Sequence, residues 1–591
     1  MCTRYLELVA RALALRLPST RLAYPCLVAA LTLSAGAVQA QTTPPATNVP
    51  GAGQLQRQTE QTLQPPPPAV APPSQPAEAA VDRSGPLMTI QRFAIEGASL
   101  IPADELARQL DPYRGRPMSL GELQAAVQTL VATYRERGWF ARVLIPPQDA
   151  SAGTLRVRVI EGRFGRVISS DRAPRRADSA FVEAVVARRL RPGEPYSQAE
   201  LERGLLLAND LPGVRADGVL QAGTQTGTSD LALHIQDGPL FTGQLGLNNA
   251  GSRFTGRAQA NAQLALDNPS GRGDQATLTA LAAERLDYLG AGYSVPLGHD
   301  GWRASLAHTE LHYRLGGGFS ALDARGAART TSLGLAYPLQ RSGDASVWIG
   351  LSAEQGRYND DTLGATLRQR RVDTAALALW GNARDGWGGG GISDWRVALA
   401  QSHLTLGEPV DRMQDAAGPK AAGSAMRLSY ELRREQNFNA PLYWRIRMAG
   451  QFASRNLDAS QKMALGGPSG VRAYPGDDGL GDSAHLVQLE LHRPFTWNAP
   501  GAFDGFLFLD GGVVRQHRNL WAGWDTRNSG HNTYGLAAAG LGLNWTSPTG
   551  LAASLTLAVP LGNNRGSGVS GRNQDGSRTA PWVWLSLRQR F

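Results

Sequence analysis

The sequence predicts a transmembrane antiparallel β-barrel of about 16 strands, preceded by two β-α-α-β-β modules and a short N-terminal helix. Three observations point to it: an export signal at the start, a duplicated α/β texture after a proline-rich spacer, and a long region of alternating strands that follows. With 591 residues the chain is too long for one ordinary core, so several domains are expected.

In residues 1–40, Arg4, Arg11, Arg16 and Arg21 precede an apolar run from Leu22 to Leu33. Ala37-Val38-Gln39-Ala40 then offers small residues where a signal peptidase cuts. The run is shorter than the roughly 20 apolar residues a helix needs to cross a bilayer. Cys2 and Cys26 both lie in this segment, so the exported chain is expected to hold neither a disulfide nor a thiolate metal site. The formal net charge of +9 is carried by scattered arginines with no polybasic run, which argues against a nucleic-acid partner.

Residues 41–84 are rich in Pro, Gln and Ala and cannot bury a core. Within them Gln54 to Gln64 is polar and helix-forming, and Pro65-Pro66-Pro67-Pro68 would stop that helix and start an extended spacer. Such a segment is either disordered alone or a helix held in a polar cavity.

From Leu87 to about Gly238 the texture repeats. Gly115-Arg116-Pro117-Met118-Ser119-Leu120-Gly121-Glu122-Leu123 matches Gly193-Glu194-Pro195-Tyr196-Ser197-Gln198-Ala199-Glu200-Leu201, and each copy carries a Ser-x-x-Glu capping box at a helix start. The first helix is expected to bury Leu120, Leu123, Val127, Leu130 and Tyr134. Strand-like segments bracket both copies.

From Phe241 to Phe591 short segments alternate. Trp444, Ile446, Met448 and Phe452 share one face, with Arg445, Arg447 and Gln451 opposite. Val583, Leu585, Leu587 and Phe591 likewise oppose Ser586, Arg588 and Arg590. A wall apolar outside and arginine-bearing inside suits a membrane barrel with a wet lumen. A soluble sandwich also alternates, but the export signal and the aromatic at Phe591 favour the barrel. At roughly 20 to 24 residues per strand and connection, the region accommodates about 16 strands.

There is no phosphate loop, no His-Glu-x-x-His, no metal-ligand spacing among the nine histidines and no nucleophile elbow, so no catalytic residue, cofactor or metal is expected. Two pieces do look functional. Gly466 to Gly476 is too glycine-rich for a strand and reads as a loop. Phe506 to Val513 alternates, with Leu507, Leu509 and Val513 toward lipid and Phe506, Phe508 and Asp510 toward the lumen. A mid-strand carboxylate in a narrow barrel needs a cation. Either Arg472 supplies it from an inward-folded loop, or Asp510 faces lumen water and Arg472 is an exposed loop residue.

With those residues in hand, the chain resembles the two-partner secretion transporters, the outer-membrane pores that export haemolysin-like and haemagglutinin-like proteins. Tyr134-Arg135-Glu136-Arg137-Gly138-Trp139 and Ile145-Pro146-Pro147-Gln148-Asp149 resemble that family's first POTRA domain. Asn209-Asp210-Leu211-Pro212-Gly213-Val214 and Gly227-Thr228-Ser229-Asp230-Leu231 resemble its second, and Asp267 to Asp274 resembles its first barrel hairpins. The resemblance implies a signal peptide (1–40), a plug helix and linker (41–84), POTRA domains (85–163 and 164–238) and a barrel (239–591). It implies that Val471, Arg472, Ala473 and Tyr474 form a pore-loop motif whose arginine pairs with the inner-wall motif Phe508, Asp510 and Gly511. Ala473 stands where the family has glycine; if that position needs a positive φ, alanine carries strain there. Gln54 to Gln64, with Gln54, Gln58 and Gln61, resembles the family's plug helix.

The function so implied is export of a large exoprotein without ATP. The partners implied are that exoprotein's N-terminal secretion domain, captured by strand addition to a POTRA sheet edge, outer-membrane lipid or lipopolysaccharide, and periplasmic chaperones with the barrel-assembly machinery. A barrel-assembly factor of the same superfamily, a passive porin and an outer-membrane enzyme are the alternatives.

Overall fold

The computed structural model describes residues 49–63, 87–150, 152–169, 173–439 and 441–591. The segment expected to be a signal peptide (1–40), Gln64 and the proline spacer lie outside the described residues. Helix α1 (Ala52–Leu63) comes first. The first α/β module then runs β1 (Met88–Thr89), β2 (Arg92–Glu96), α2 (Ala103–Gln109), β3 (Pro117–Met118), α3 (Leu120–Glu136), β4 (Ala141–Leu144) and β5 (Thr154–Glu161). The second runs β6 (Arg163–Ser169), α4 (Ser179–Val186), α5 (Gln198–Asn209), β7 (Val214–Ala222) and β8 (Thr228–Asp237). The sheets have the same plan, β2-β5-β4 and β6-β8-β7, each with one parallel and one antiparallel pairing. A small antiparallel ribbon, β1–β3, is added in the first.

Both capping boxes form. Ser119 Oγ accepts from the Glu122 N–H at 3.3 Å while Glu122 Oε2 accepts from the Ser119 N–H at 2.9 Å, and Ser197 with Glu200 repeats this at 3.2 and 2.9 Å. The buried face of α3 is Leu123, Ala126, Val127, Leu130 and Tyr134. Leu120 is a correction: as the first residue after the cap it hangs off the end of the core and is exposed. The modules are joined without a linker, since β5 leads through Gly162 into β6. Phe140 stacks on Tyr196 at 5.0 Å, and the Gln198 N–H donates to Gly138 O at 2.8 Å.

Glu161 ties the first module together. Its carboxylate accepts from the Ser99 and Leu100 N–H groups at 2.7 Å each, from Ser99 Oγ, and from the Tyr134 hydroxyl at 2.8 Å. Burial pushes its acidity toward the neutral form, but the Leu100, Ser99 and Tyr134 hydrogen bonds outweigh that, and the net shift is downward. A depressed folded-state pKa stabilises above the unfolded value and is lost as pH falls through the folded one. Glu161→Gln should therefore destabilise this module by roughly 1–3 kcal/mol at neutral pH. The deficit should shrink as wild type is acidified below its own carboxylate titration. Hydrogen exchange of the α3 amides in the full chain measures both; equal protection in variant and wild type at neutral pH would exclude this role.

The remaining strands, β9 (Phe241–Asn248) to β24 (Trp582–Arg590), close into a 16-stranded antiparallel barrel, the even count the sequence indicated. The seam pairs Ser586 with Asn248 through Arg590 with Gln244, and Phe591 exchanges two backbone hydrogen bonds of 3.1 Å with Gly243. Closure leaves no unpaired edge for lipid to meet. Along β21 (Ala502–Arg515), Leu507, Leu509 and Val513 are 60, 50 and 43% exposed on the outer wall. Phe506, Phe508 and Asp510 are 8, 5 and 1% exposed inside.

Short turns lie at one end of the barrel and long loops at the other, the arrangement that puts the turns in the periplasm. The second α/β module sits on those turns. Arg203 on α5, 5% exposed, donates to Pro338 O at 3.0 Å and Asp300 O at 3.3 Å, and Arg341 grips Asp210 with two bonds of 2.8 Å. In the turn that follows β10 (Gln259–Asp267), Gly273 has φ 80°, and a Cβ there would lie 2.6 Å from Leu211, so this contact requires glycine.

Candidate functional site

The long loop between β19 (Leu442–Ala453) and β20 (Ser483–Phe495) dips into the lumen instead of standing above the barrel. Its glycines permit the tight fold. Gly467 has φ 97°, and a Cβ on Gly470 would lie 2.0 Å from Leu465 O, where the Val471 N–H donates at 2.6 Å. The tip is fully buried: Val471, Ala473 and Tyr474 pack with Leu465, Phe506, Phe508, Tyr534 and Leu536 against the inner wall. Ala473 is absent from the positive-φ residues, so alanine carries no backbone strain there; the left-handed positions belong to Gly467 and Gly479.

Arg472 stands among these groups and faces Asp510. Its Nη2 donates to Asp510 Oδ1 at 2.6 Å, its Nε to Oδ2 at 2.8 Å, and its own backbone N–H to Oδ2 at 3.1 Å. Its Nη1 donates to Glu490 Oε1 at 2.6 Å, and the guanidinium lies 3.6 Å from the Phe508 ring centroid. One cation thus satisfies two carboxylates. The Arg472 carbonyl accepts from Trp584 Nε1 at 2.7 Å, and Gln488 Nε2 donates to Gly470 O at 2.8 Å. Glu490 is in turn held by His492 at 2.9 Å and Arg445 at 3.3 Å. Gly511 faces away, and a side chain there would meet nothing within 4 Å.

Helix α1 occupies the lumen beside this loop. The Ala52 N–H donates to Asp360 Oδ1 at 2.8 Å, near the long-loop end of β15 (Ala345–Thr362), which places a negative charge at the helix start. Gln56 Nε2 donates to Thr330 Oγ1 at 2.6 Å and Thr309 Oγ1 at 3.1 Å. Arg57 reaches Gln451 and Ser460 at 3.3 Å each, and Leu63 O accepts from Gln263 at 2.7 Å. Ala52, Leu55 and Leu63 pack on an apolar patch that includes Leu311, Tyr313 and Tyr358. The glutamines named from the sequence sit elsewhere on the helix. Gln54 is half-buried, and Gln58 and Gln61 border a cleft shared with Ser469 and Trp584. Gln56 is the glutamine bonded to the wall; it lies beside the face that Ala52, Leu55 and Leu63 share, and the wall residues Thr309 and Thr330 give it its partners.

The model of the haemolysin secretion/activation protein family ShlB/FhaC/HecB matches residues 227–544, more than half of the chain. The ShlB-type POTRA domain model matches 88–162. The chain belongs to this family. Among its relatives, the heme/hemopexin transporter protein HuxB of Haemophilus influenzae (strain 86-028NP) is 26% identical over 471 residues, covering 78% of this chain and 82% of the relative. The outer membrane transporter CdiB of Dickeya dadantii is 25% identical over 465 residues, covering 74% and 80%. In three dimensions the chain is similar to CdiB from Escherichia coli with a TM-score of 0.67 at 20% identity, over 88% of this chain and 94% of that one. The protein is therefore an outer-membrane transporter of the two-partner secretion type, moving an exoprotein to the cell surface, with its POTRA domains in the periplasm.

Within this ShlB-type transporter, sequence reasoning missed Glu490, Gln488 and Trp584. Alternation with Val487, Leu489 and Leu491 places Gln488 and Glu490 on the inner face but names no partner for them. Trp584 alternates with Val583 and Leu585 and so also pointed inward. Their partner lies in a loop whose path only the folded barrel fixes.

Proposed function

We propose that the transporter rests closed, with α1 as its plug and Arg472, Asp510 and Glu490 as the latch that seats the pore loop, and that it works as a pore and not as an enzyme. The POTRA domains capture the secretion domain of the exoprotein, by adding a strand to an open sheet edge. The plug leaves toward the periplasm, the unfolded chain passes through the polar lumen, and folding outside draws it forward without ATP. The observation that carries this reading is the occupied lumen. A 16-stranded barrel otherwise encloses an aqueous channel, and here a helix and a loop fill it through hydrogen bonds that water can replace.

Removing the transporter from its host should leave its cognate exoprotein in the periplasm, and re-expression should restore surface display. Immunoblots of surface-shaved and periplasmic fractions measure this. Unchanged surface display without the transporter would overturn the assignment.

A further inference from the structure

The outer wall carries a charge arrangement that export does not use. Strands β14 (Arg325–Arg341), β15 and β16 (Ala365–Asp385) are long and reach beyond the membrane at the long-loop end. Their registers pair Arg329 with Arg357, and Arg357 with Arg371. All three are exposed and share the parity of Leu333, Leu351 and Leu377, which are exposed on the lipid-facing side. Directly opposed like charges destabilise a strand pair, and here two such pairings stand side by side. The outer two arginines have acidic partners: Arg329 pairs with Glu310 at 2.6 Å and Arg371 with Asp373 at 2.9 Å. Arg357, between them, donates only to Gln355 Oε1 at 3.2 Å and has no carboxylate partner among the described residues.

The height of the row identifies what neutralises it. The last apolar row pairs Leu333 with Ala353 and Ala353 with Ala375, and the arginines follow four residues further along each strand. At about 3.3 Å per residue and a tilt of about 40°, that is about 10 Å past the hydrocarbon edge, in the headgroup layer of the outer leaflet. Three guanidinium groups on adjacent strands span about 10 Å, and each can grip a phosphate with two hydrogen bonds. We infer that Arg329, Arg357 and Arg371 form an anion cradle on the outer wall for the phosphate groups of a glycolipid headgroup in the surrounding leaflet. Arg357 is the member whose charge the lipid alone satisfies. The cradle is independent of the plug and latch.

Native mass spectrometry of the full chain, released from detergent after incubation with a lipid probe, tests this. Wild type should retain bisphosphorylated lipid A, and Arg357→Gln should weaken that retention by about tenfold. Inorganic phosphate at the same concentration should not displace the lipid. Equal retention by Arg357→Gln overturns the assignment. So does equal retention of dephosphorylated lipid A by wild type, which would place all the binding in the acyl chains and needs no variant. Displacement by inorganic phosphate would make the row a general anion site and would also overturn it.

Discussion

Arg472→Ala is expected to remove nearly all exoprotein from the cell surface while the barrel itself still reaches the outer membrane. Removing one member of a buried, hydrogen-bonded ion pair costs about 3–5 kcal/mol, enough to shift the seated loop against its unseated states by more than a hundredfold. The geometry further predicts an unequal pair. Arg472→Ala strands Asp510 and leaves Glu490 to His492 and Arg445, whereas Asp510→Ala leaves Arg472 bonded to Glu490 at 2.6 Å. Asp510→Ala should thus be the milder variant, and the double variant should be no worse than Arg472→Ala alone. Export efficiency, scored as surface against periplasmic exoprotein at equal transporter level, gives the cycle directly. Additive losses would mean that the two residues act separately and that the loop is seated by its apolar tip.

Gly53→Leu is expected to open the resting pore. A Cβ on Gly53 would stand 2.5 Å from Ser460 Cβ and 3.3 Å from the Tyr358 ring, so any larger side chain is driven out of the seat. The same change favours the isolated helix by about 0.8–1 kcal/mol, which separates seating from helix formation. Conductance in planar bilayers should rise toward that of a chain lacking Ala52–Leu63, which in turn should far exceed wild type. If the deletion leaves conductance unchanged, α1 is not the plug. If only Gly53→Leu is silent, the helix occupies a different seat.

Where a periodic signal exists, the residues carried the fold. Alternation along β21 separates Leu507 and Leu509 from Phe508 and Asp510, because a barrel wall in lipid tolerates one assignment of faces. The Ser119–Glu122 and Ser197–Glu200 boxes likewise form from local sequence alone, since both partners lie within one helical turn. Helix α3 shows where local reading stops: Leu120 fits the 3.6-residue period yet lies beyond the core that the sheet provides.

The sequence by itself thus determined the barrel, its strand parity, the duplicated modules and the two residues, Arg472 and Asp510, that could meet across the lumen. Tertiary structure alone decided that they meet, that Glu490 and Trp584 join them, that Ala473 sits without strain, and that Gln56 rather than Gln54, Gln58 or Gln61 anchors the helix. The physical reason is the range of the contacts. Faces of strands and caps of helices are set by neighbours a few residues away. The latch, the plug seat and the arginine row arise where chain segments far apart in sequence are brought together by closure and register.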